Sequence, residues 1–213
     1  LYTRLVEPPE AERALGIGYI NDAQQNLWGL ANKGEAFLRL LTHEPDAMQA
    51  GPLVEQLINE ALGPNWGNQA LTDNVIFPDC HPQGMHNDQV ATASYVTPDV
   101  PMVVNTLYIL EDVYEINGGT LIVPGSHRLF SEGGGLYGKV PPAIILEAPA
   151  GTLLLLDGRT LHAGAVNKSD KKRCIMINPH LRPFIRHQEA FHLSLKPEIL
   201  QCASDKLLWR LGF

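Results

Sequence analysis

Between residues 74 and 184 the chain breaks into short runs rich in β-branched, aromatic and aliphatic side chains, separated by glycine, proline, asparagine and aspartate. The runs cover residues 75–77, 89–96, 102–110, 120–123, 144–146, 152–156 and 173–178. Each is of strand length, and the segments between them are rich in turn formers. This pattern predicts an antiparallel sandwich or jelly roll rather than an alternating βαβ sheet. Helical periodicity is confined to the flanks. Residues 8–15 open on Pro8-Pro9 and read as a short helix. Residues 34–41 carry Phe37, Leu38, Leu40 and Leu41 on one stripe. Residues 52–62 repeat with helical period and stop at Gly63-Pro64, and residues 197–211 read as one C-terminal helix starting at Pro197. The expected organisation is a single domain, mainly β with flanking helices: a helical flank over about 1–70, a jelly-roll core over about 71–186 and a C-terminal helix over about 196–211.

A chain of 213 residues is long enough for one substantial core. The formal charge of −7 and the lack of any basic run argue against a nucleic-acid partner. The apolar runs are strand-sized, so no membrane span is expected. Three widely spaced cysteines, Cys80, Cys174 and Cys202, suit a reducing compartment better than a disulfide framework, and a cytoplasmic setting is expected. The chain opens on Leu1 rather than methionine, which leaves room for residues upstream.

Against this frame stands His86-Asn87-Asp88, followed by His162 and, eleven residues later, Arg173 at the start of a strand-like run. His86 and Asp88 are two apart, so on a β-strand both side chains leave the same face and reach one ion, while Asn87 points away. His162 follows the buried-strand pattern of residues 151–158 and offers a third ligand. Two imidazoles and one carboxylate form the facial set that holds non-haem Fe(II) with open positions for other ligands, although the same atoms also take zinc or nickel. The bland reading of the same residues is a loop His-x-Asp and a turn histidine that never meet. Arg173 carries a planar fork suited to a bidentate carboxylate, as on a dicarboxylate co-substrate; its bland reading is a surface arginine beside Lys171 and Lys172.

The ordered set resembles the phytanoyl-CoA dioxygenase family of Fe(II)/2-oxoglutarate oxygenases. The resemblance rests on Asn32-Lys33-Gly34-Glu35, His86-Asn87-Asp88-Gln89, Asn117-Gly118-Gly119-Thr120, Val123-Pro124-Gly125-Ser126-His127-Arg128, Asp157-Gly158-Arg159, His162-Ala163-Gly164-Ala165-Val166-Asn167, Arg173 and Arg182-Pro183-Phe184-Ile185-Arg186. It runs from about residue 28 to the C-terminus and is closest to the natural-product and small-molecule oxygenases of that family; acyl-CoA specificity does not follow from it. It implies a double-stranded β-helix core, with Fe(II), 2-oxoglutarate and dioxygen used to oxidise, by default to hydroxylate, a C–H bond of a small organic molecule. Desaturation, epoxidation and rearrangement share that chemistry, whereas halogenation is disfavoured because Asp88 is present.

The resemblance also implies that Thr120 and Gln83 assist Arg173 in holding 2-oxoglutarate; each is equally readable as an ordinary strand or loop residue. It further sets Leu107 about where some relatives carry a tryptophan. Asn105, a polar residue in an apolar run, is either a satisfied core amide or a pocket residue. Tyr95, Phe184, Tyr137 and Trp66 are candidate pocket walls, and His127 is a candidate structural neighbour of the metal. Residues 78–85 and 130–142, the latter containing Gly133-Gly134-Gly135, are candidate lids. A small-molecule substrate, no membrane partner and a monomer or homodimer are expected. The competing class is a non-catalytic cupin-like metal- or ligand-binding module; a zinc hydrolase fits less well because it has no use for Arg173.

Overall fold

A computed structural model describes residues 11–93, 99–129 and 138–213. After a helical turn at 11–14 come β1 (Tyr19–Ile20), β2 (Gln25–Leu27), helix α1 (Glu35–Leu41) and helix α2 (Gly51–Leu62). Next follow β3 (Gly67–Asn68), β4 (Thr72–Ile76), helix α3 (Asp88–Ala93), β5 (Val103–Ile109), β6 (Thr120–Ile122) and β7 (Ile144–Ile145). The chain ends with β8 (Leu153–Asp157), β9 (His162–Gly164), β10 (Arg173–Leu181), and helices α4 (Phe191–Ser194), α5 (Pro197–Cys202) and α6 (Asp205–Leu211).

The strands form two antiparallel sheets, as the alternation of short runs and turns predicts. The larger has the order β1-β2-β4-β10-β5-β8, with β3 also on β10; the smaller has the order β7-β6-β9. Non-sequential neighbours are the mark of a jelly roll: β10 lies between β4 and β5, with Ile175 opposite both Asn74 and Ile109. No helix among the described residues is long and apolar enough to cross a membrane.

Side chains alternate across the larger sheet, so its two faces do different work. One face turns to the smaller sheet, where Leu107, Ile109, Leu156 and Ile175 pack with Ile122 and Val113. The other is covered by helices: Tyr108 and Met176 pack with Phe37 and Leu41 of α1, Phe191 of α4 and Leu207 and Leu211 of α6. Val104 meets Val54, Ile58 and Leu62 of α2. These three α2 residues recur every four positions on one stripe, whereas Leu53 and Leu57, which extend the apolar pattern in sequence, remain 58% and 42% exposed.

Two predicted elements change. The C-terminal stretch is two helices rather than one, because Ala203 and Ser204 are extended and the Ser204 side chain accepts the Leu207 N–H to start α6 afresh. Residues 89–93 of the expected strand 89–96 belong to a helix that starts at Asp88, because the Asn87 side chain accepts the Val90 N–H at 2.9 Å and caps the turn.

Behind the larger sheet lies a buried polar layer. Asn68 donates to the Leu41 carbonyl, which leaves its amide oxygen 3.0 Å from His180 Nδ1; the far side of that ring, Nε2, then takes the Thr106 hydroxyl at 2.8 Å. The Arg210 guanidinium lies 3.2 Å from the centre of the Trp66 ring and bonds Glu55. His43 packs against both Trp66 and His180, is 2% exposed, and has no hydrogen-bond partner on either ring nitrogen among the described residues. Burial lowers its pKa from 6.5 to about 4, opposed in part by Glu55. His43 is therefore neutral in the folded protein, and its contribution is present above pH 6.5 and lost as pH falls from 6.5 to about 4. The loss amounts to on the order of 3 kcal/mol. His43→Asn, a residue that tolerates the positive φ of 54° here, is expected to lower stability at pH 7 but to flatten its decline toward pH 4, as read from urea midpoints across that range.

Candidate metal centre and cavity

His162 opens β9 at the rim of the smaller sheet. His86 lies opposite it in an isolated antiparallel bridge, with His86 N–H donating to the His162 carbonyl at 3.0 Å and the reverse bond at 2.9 Å. Directly opposed residues of such a pair send their side chains to the same face, and the two imidazole centres are 4.5 Å apart. Asp88 arrives differently from the strand geometry expected of His-x-Asp. After the bridge the chain turns at Asn87, and Asp88 is the first residue of the capped helix α3.

One oxygen of Asp88 is 3.5 Å from His86 Nε2 and the other is 3.4 Å from His162 Nε2. One ligand atom from each residue lies within 4.8 Å of the others, and all three residues are half-buried. Both imidazoles are oriented from behind. His86 Nδ1–H donates to the Gly84 carbonyl at 2.8 Å and His162 Nδ1–H to the Thr160 carbonyl at 3.0 Å, so each Nε2 lone pair faces inward. Two neutral imidazole nitrogens and one carboxylate on one side of a point suit a first-row divalent ion that keeps open positions.

The three groups line a cavity of about 440 Å³ between the sheets, a size ordinary for small-molecule sites. Arg173, the first residue of β10, reaches into the same cavity and is only 1% exposed. Its Nη2 donates to the Gly118 carbonyl at 2.5 Å, while Nε and Nη1 have no partner among the described residues. Burial lowers its pKa to about 10, so it stays cationic at neutral pH. A buried cation with two unused donors is costly unless an anion completes it, and a carboxylate fits that fork. Of the other arginines nearby, Arg159 holds Asp157 and the Asp99 carbonyl, Arg182 holds the carbonyls of Pro101 and Ala61, and Arg186 also lines the cavity.

Thr120 and Gln83 line the cavity too. Thr120 lies opposite Gly164 in the smaller sheet. Gln83 is clamped, accepting the Gly164 N–H at 2.7 Å and donating to Gln24 at 2.6 Å, which leaves one amide hydrogen unused. Asn105 lies on the inner face of β5 and donates to Asp88 Oδ2, so among the alternatives open for it, it is a cavity residue that steadies the carboxylate. Leu107 is part of the apolar wall.

Phe184 does not join the site. It is 72% exposed and is not among the cavity-lining residues, because it follows the end of β10 in an outward turn. Trp66 is buried behind the larger sheet against Arg210, away from the cavity. Tyr95, Tyr137 and residues 130–137 of the second candidate lid lie outside the described residues, whereas the first contributes Gln83. Sequence reasoning missed Gln24, Asn26, Trp28 and Asn74, which also line the cavity. The first three come from the weakly patterned N-terminal stretch, and only the register of β2 on β4 places Asn26 beside Asn74.

A profile described as "Phytanoyl-CoA dioxygenase (PhyH)" matches residues 4–175. Dioxygenase af480 of Aspergillus fumigatus is 25% identical over 162 residues, covering 75% of this chain and 52% of that protein. The Fe(II)/2-oxoglutarate-dependent dioxygenase nvfF of Aspergillus novofumigatus is 35% identical over 151 residues, covering 68% of this chain and 46% of that one. The chain thus spans about half the length of these relatives. Among solved structures, the non-heme alpha ketoglutarate dependent carbocyclase SnoK from nogalamycin biosynthesis superposes with a TM-score of 0.66 at 17% identity, covering 95% of this chain and 81% of that chain. At that identity the likeness is one of fold.

Asn105→Ala removes the donor to Asp88 and leaves the three candidate ligands in place. It is expected to weaken binding of a divalent ion by about tenfold to a hundredfold, the usual effect of losing a group that orients a ligand. Titration with Co(II), read by its visible absorption, measures this, with circular dichroism to verify the fold.

Proposed function

The chain belongs to the phytanoyl-CoA dioxygenase family, and from that premise we propose that it is a mononuclear Fe(II)- and 2-oxoglutarate-dependent oxygenase. The reaction proposed is oxidation, by default hydroxylation, of a C–H bond in a small organic molecule. The observation that carries this reading is Arg173: a buried cation with two unpartnered nitrogens, facing the cavity that His86, Asp88 and His162 also face. A metal-binding scaffold alone has no use for such a cation, whereas a dicarboxylate co-substrate needs one end at the metal and the other at a fork of this kind.

In this reading His86 Nε2, His162 Nε2 and one oxygen of Asp88 hold the iron. Arg173 takes the distal carboxylate of 2-oxoglutarate, assisted by the Thr120 hydroxyl and the remaining amide hydrogen of Gln83. When bound, iron and 2-oxoglutarate together turn dioxygen into an oxidant of C–H bonds, with succinate and carbon dioxide as co-products. The chain's part is orientation and shielding. The Gly84 and Thr160 carbonyls keep the imidazoles turned inward, Asn105 fixes the carboxylate, and Leu107, Ile175 and Ile177 give the cavity a dry wall. Retention of Asp88 supports oxygenation over halogenation, because the carboxylate occupies the position a halide would need. A natural product as substrate is supported by the names of the similar structures, which include enzymes of nogalamycin biosynthesis.

Anaerobic protein supplied with Fe(II) and 2-oxoglutarate is expected to develop the weak visible charge-transfer band of the chelate and, on admission of oxygen, to release succinate slowly without added substrate. Absence of the band in folded, iron-loaded protein overturns the reading. Asp88→Ala is expected to abolish succinate release with the fold retained, as followed by iron content and product in one sample. Arg173→Leu deletes a charge-assisted pair worth on the order of 1.5–3 kcal/mol, so the apparent affinity for 2-oxoglutarate is expected to fall at least tenfold while iron content is kept.

A further inference from the structure

One wall of the cavity is made of carboxamides. Asn74 on β4 lies beside Asn26 on β2, and Gln24 and Gln83 join them. Gln24 and Asn74 are 8% and 6% exposed, so the group is built into the fold.

An amide can present oxygen or nitrogen to a neighbour, and normally only its partners decide which. Here a single backbone donor decides for all four. The Gly164 N–H has only a hydrogen to give, so Gln83 must turn Oε1 toward it, at 2.7 Å. Gln83 Nε2 then faces Gln24 at 2.6 Å, and Gln24 must answer with Oε1. The same oxygen accepts from Asn74 Nδ2 at 2.5 Å, and the second hydrogen of that nitrogen goes to Asn26 Oδ1 at 2.8 Å. Gln24 Oε1 thereby accepts two bonds and Asn26 Oδ1 one, both turned inward to the relay. Gln24 Nε2 and Asn26 Nδ2 have no protein partner among the described residues, and neither is sealed from the cavity space.

These donors lie beside the Arg173 seat rather than in it. Arg173 pairs with Ile76, whereas Asn74 is one inward-facing position further along β4 and Asn26 one strand further out. On the same sheet face the relay is flanked by apolar side chains: Ile175 lies directly opposite Asn74, with Ile177 and Leu107 beyond it. We propose that Gln24 Nε2 and Asn26 Nδ2 form a substrate subsite for the carbonyl oxygen of an uncharged, otherwise apolar molecule. Neutral amide donors match such an oxygen, whereas a carboxylate would lose its hydration here without gaining a cation from the relay. The inference rests on the proposed function for what the neighbouring metal and Arg173 do, and deepens it by naming the chemistry of the substrate.

The test uses isosteric variants. Gln24→Glu and Asn26→Asp each keep the oxygen that Asn74 requires and replace the cavity-facing NH₂ by an oxygen. Protein loaded with Zn(II) and 2-oxoglutarate is titrated with cyclopentanone, and with methylenecyclopentane as the oxygen-free counterpart, while side-chain amide signals are followed by ¹⁵N NMR. Saturable shifts of the Gln24 and Asn26 amides with the ketone only, weakened at least tenfold for the remaining amide in each variant, support the subsite. Equal response to the two probes, or equal ketone affinity in wild type and variants, overturns it. The Fe(II)·2-oxoglutarate band is recorded alongside. A band without ketone selectivity rejects the subsite alone, whereas no band in wild type rejects the functional reading beneath it.

Discussion

The pairing of His86 with His162 through two backbone hydrogen bonds is the constraint on which the rest of the site depends. It converts two residues far apart in sequence into neighbours on one face, and it fixes the level at which everything else arrives. Two residues beyond His86, the Asn87 cap delivers Asp88 between the imidazoles. Two residues beyond His162, Gly164 faces Thr120 across the smaller sheet and gives its N–H to Gln83. The lack of a side chain at Gly164 is part of this arrangement: a Cβ there would stand 2.9 Å from both Gln83 Oε1 and Ile76 Cδ1, closer than real contacts allow. One short bridge thus positions the candidate metal ligands, the threonine and the first member of the carboxamide relay.

Arg173 depends on the opposite kind of support. Burying a guanidinium with two unused nitrogens is unfavourable by several kcal/mol, and a side chain so placed would withdraw to solvent if its backbone were free to move. It begins the longest strand of the larger sheet, held between β4 and, further along, β5. The Gly118 carbonyl that it reaches sits in a turn where Gly118 has φ 82° and the Asn117 side chain bonds at both ends, to Asp112 and Tyr114. The stability of the central sheet therefore holds a charge in a buried position with two nitrogens turned to the cavity.

The two faces of the larger sheet show why residue type alone does not mark function. Both bury polar side chains. Behind the sheet, Thr106, His180 and Asn68 satisfy one another in a closed chain against the helices. Facing the cavity, Asn105, Asn74 and Arg173 keep unused hydrogen-bonding groups. Asn105 and Thr106, adjacent residues of one strand, fall on opposite faces: Thr106 joins the chain behind the sheet, and Asn105 meets Asp88 in the cavity.

By itself the sequence pointed to the β-rich core, to helices near 35–41 and 51–62, and to the candidate set His86, Asp88, His162, Arg173 and Gln83 that meets at one cavity, whereas the helical flank expected over about 1–70 also holds β1, β2 and β3 of the larger sheet. Short alternating runs with frequent turn formers, and rare residue types at ordered separations, are properties of local chain chemistry. The capping asparagine at Asn87 was equally local, but the pattern of the following residues suggested a strand, and the side-chain hydrogen bond to Val90 decided for a helix. Tertiary structure alone decided that Phe184 points outward, that Trp66 belongs to the far core, and that Gln24, Asn26 and Asn74 share one wall with a common polarity. Those outcomes depend on strand register and on a backbone N–H from a distant strand, and neither is written in the spacing of residues along the chain.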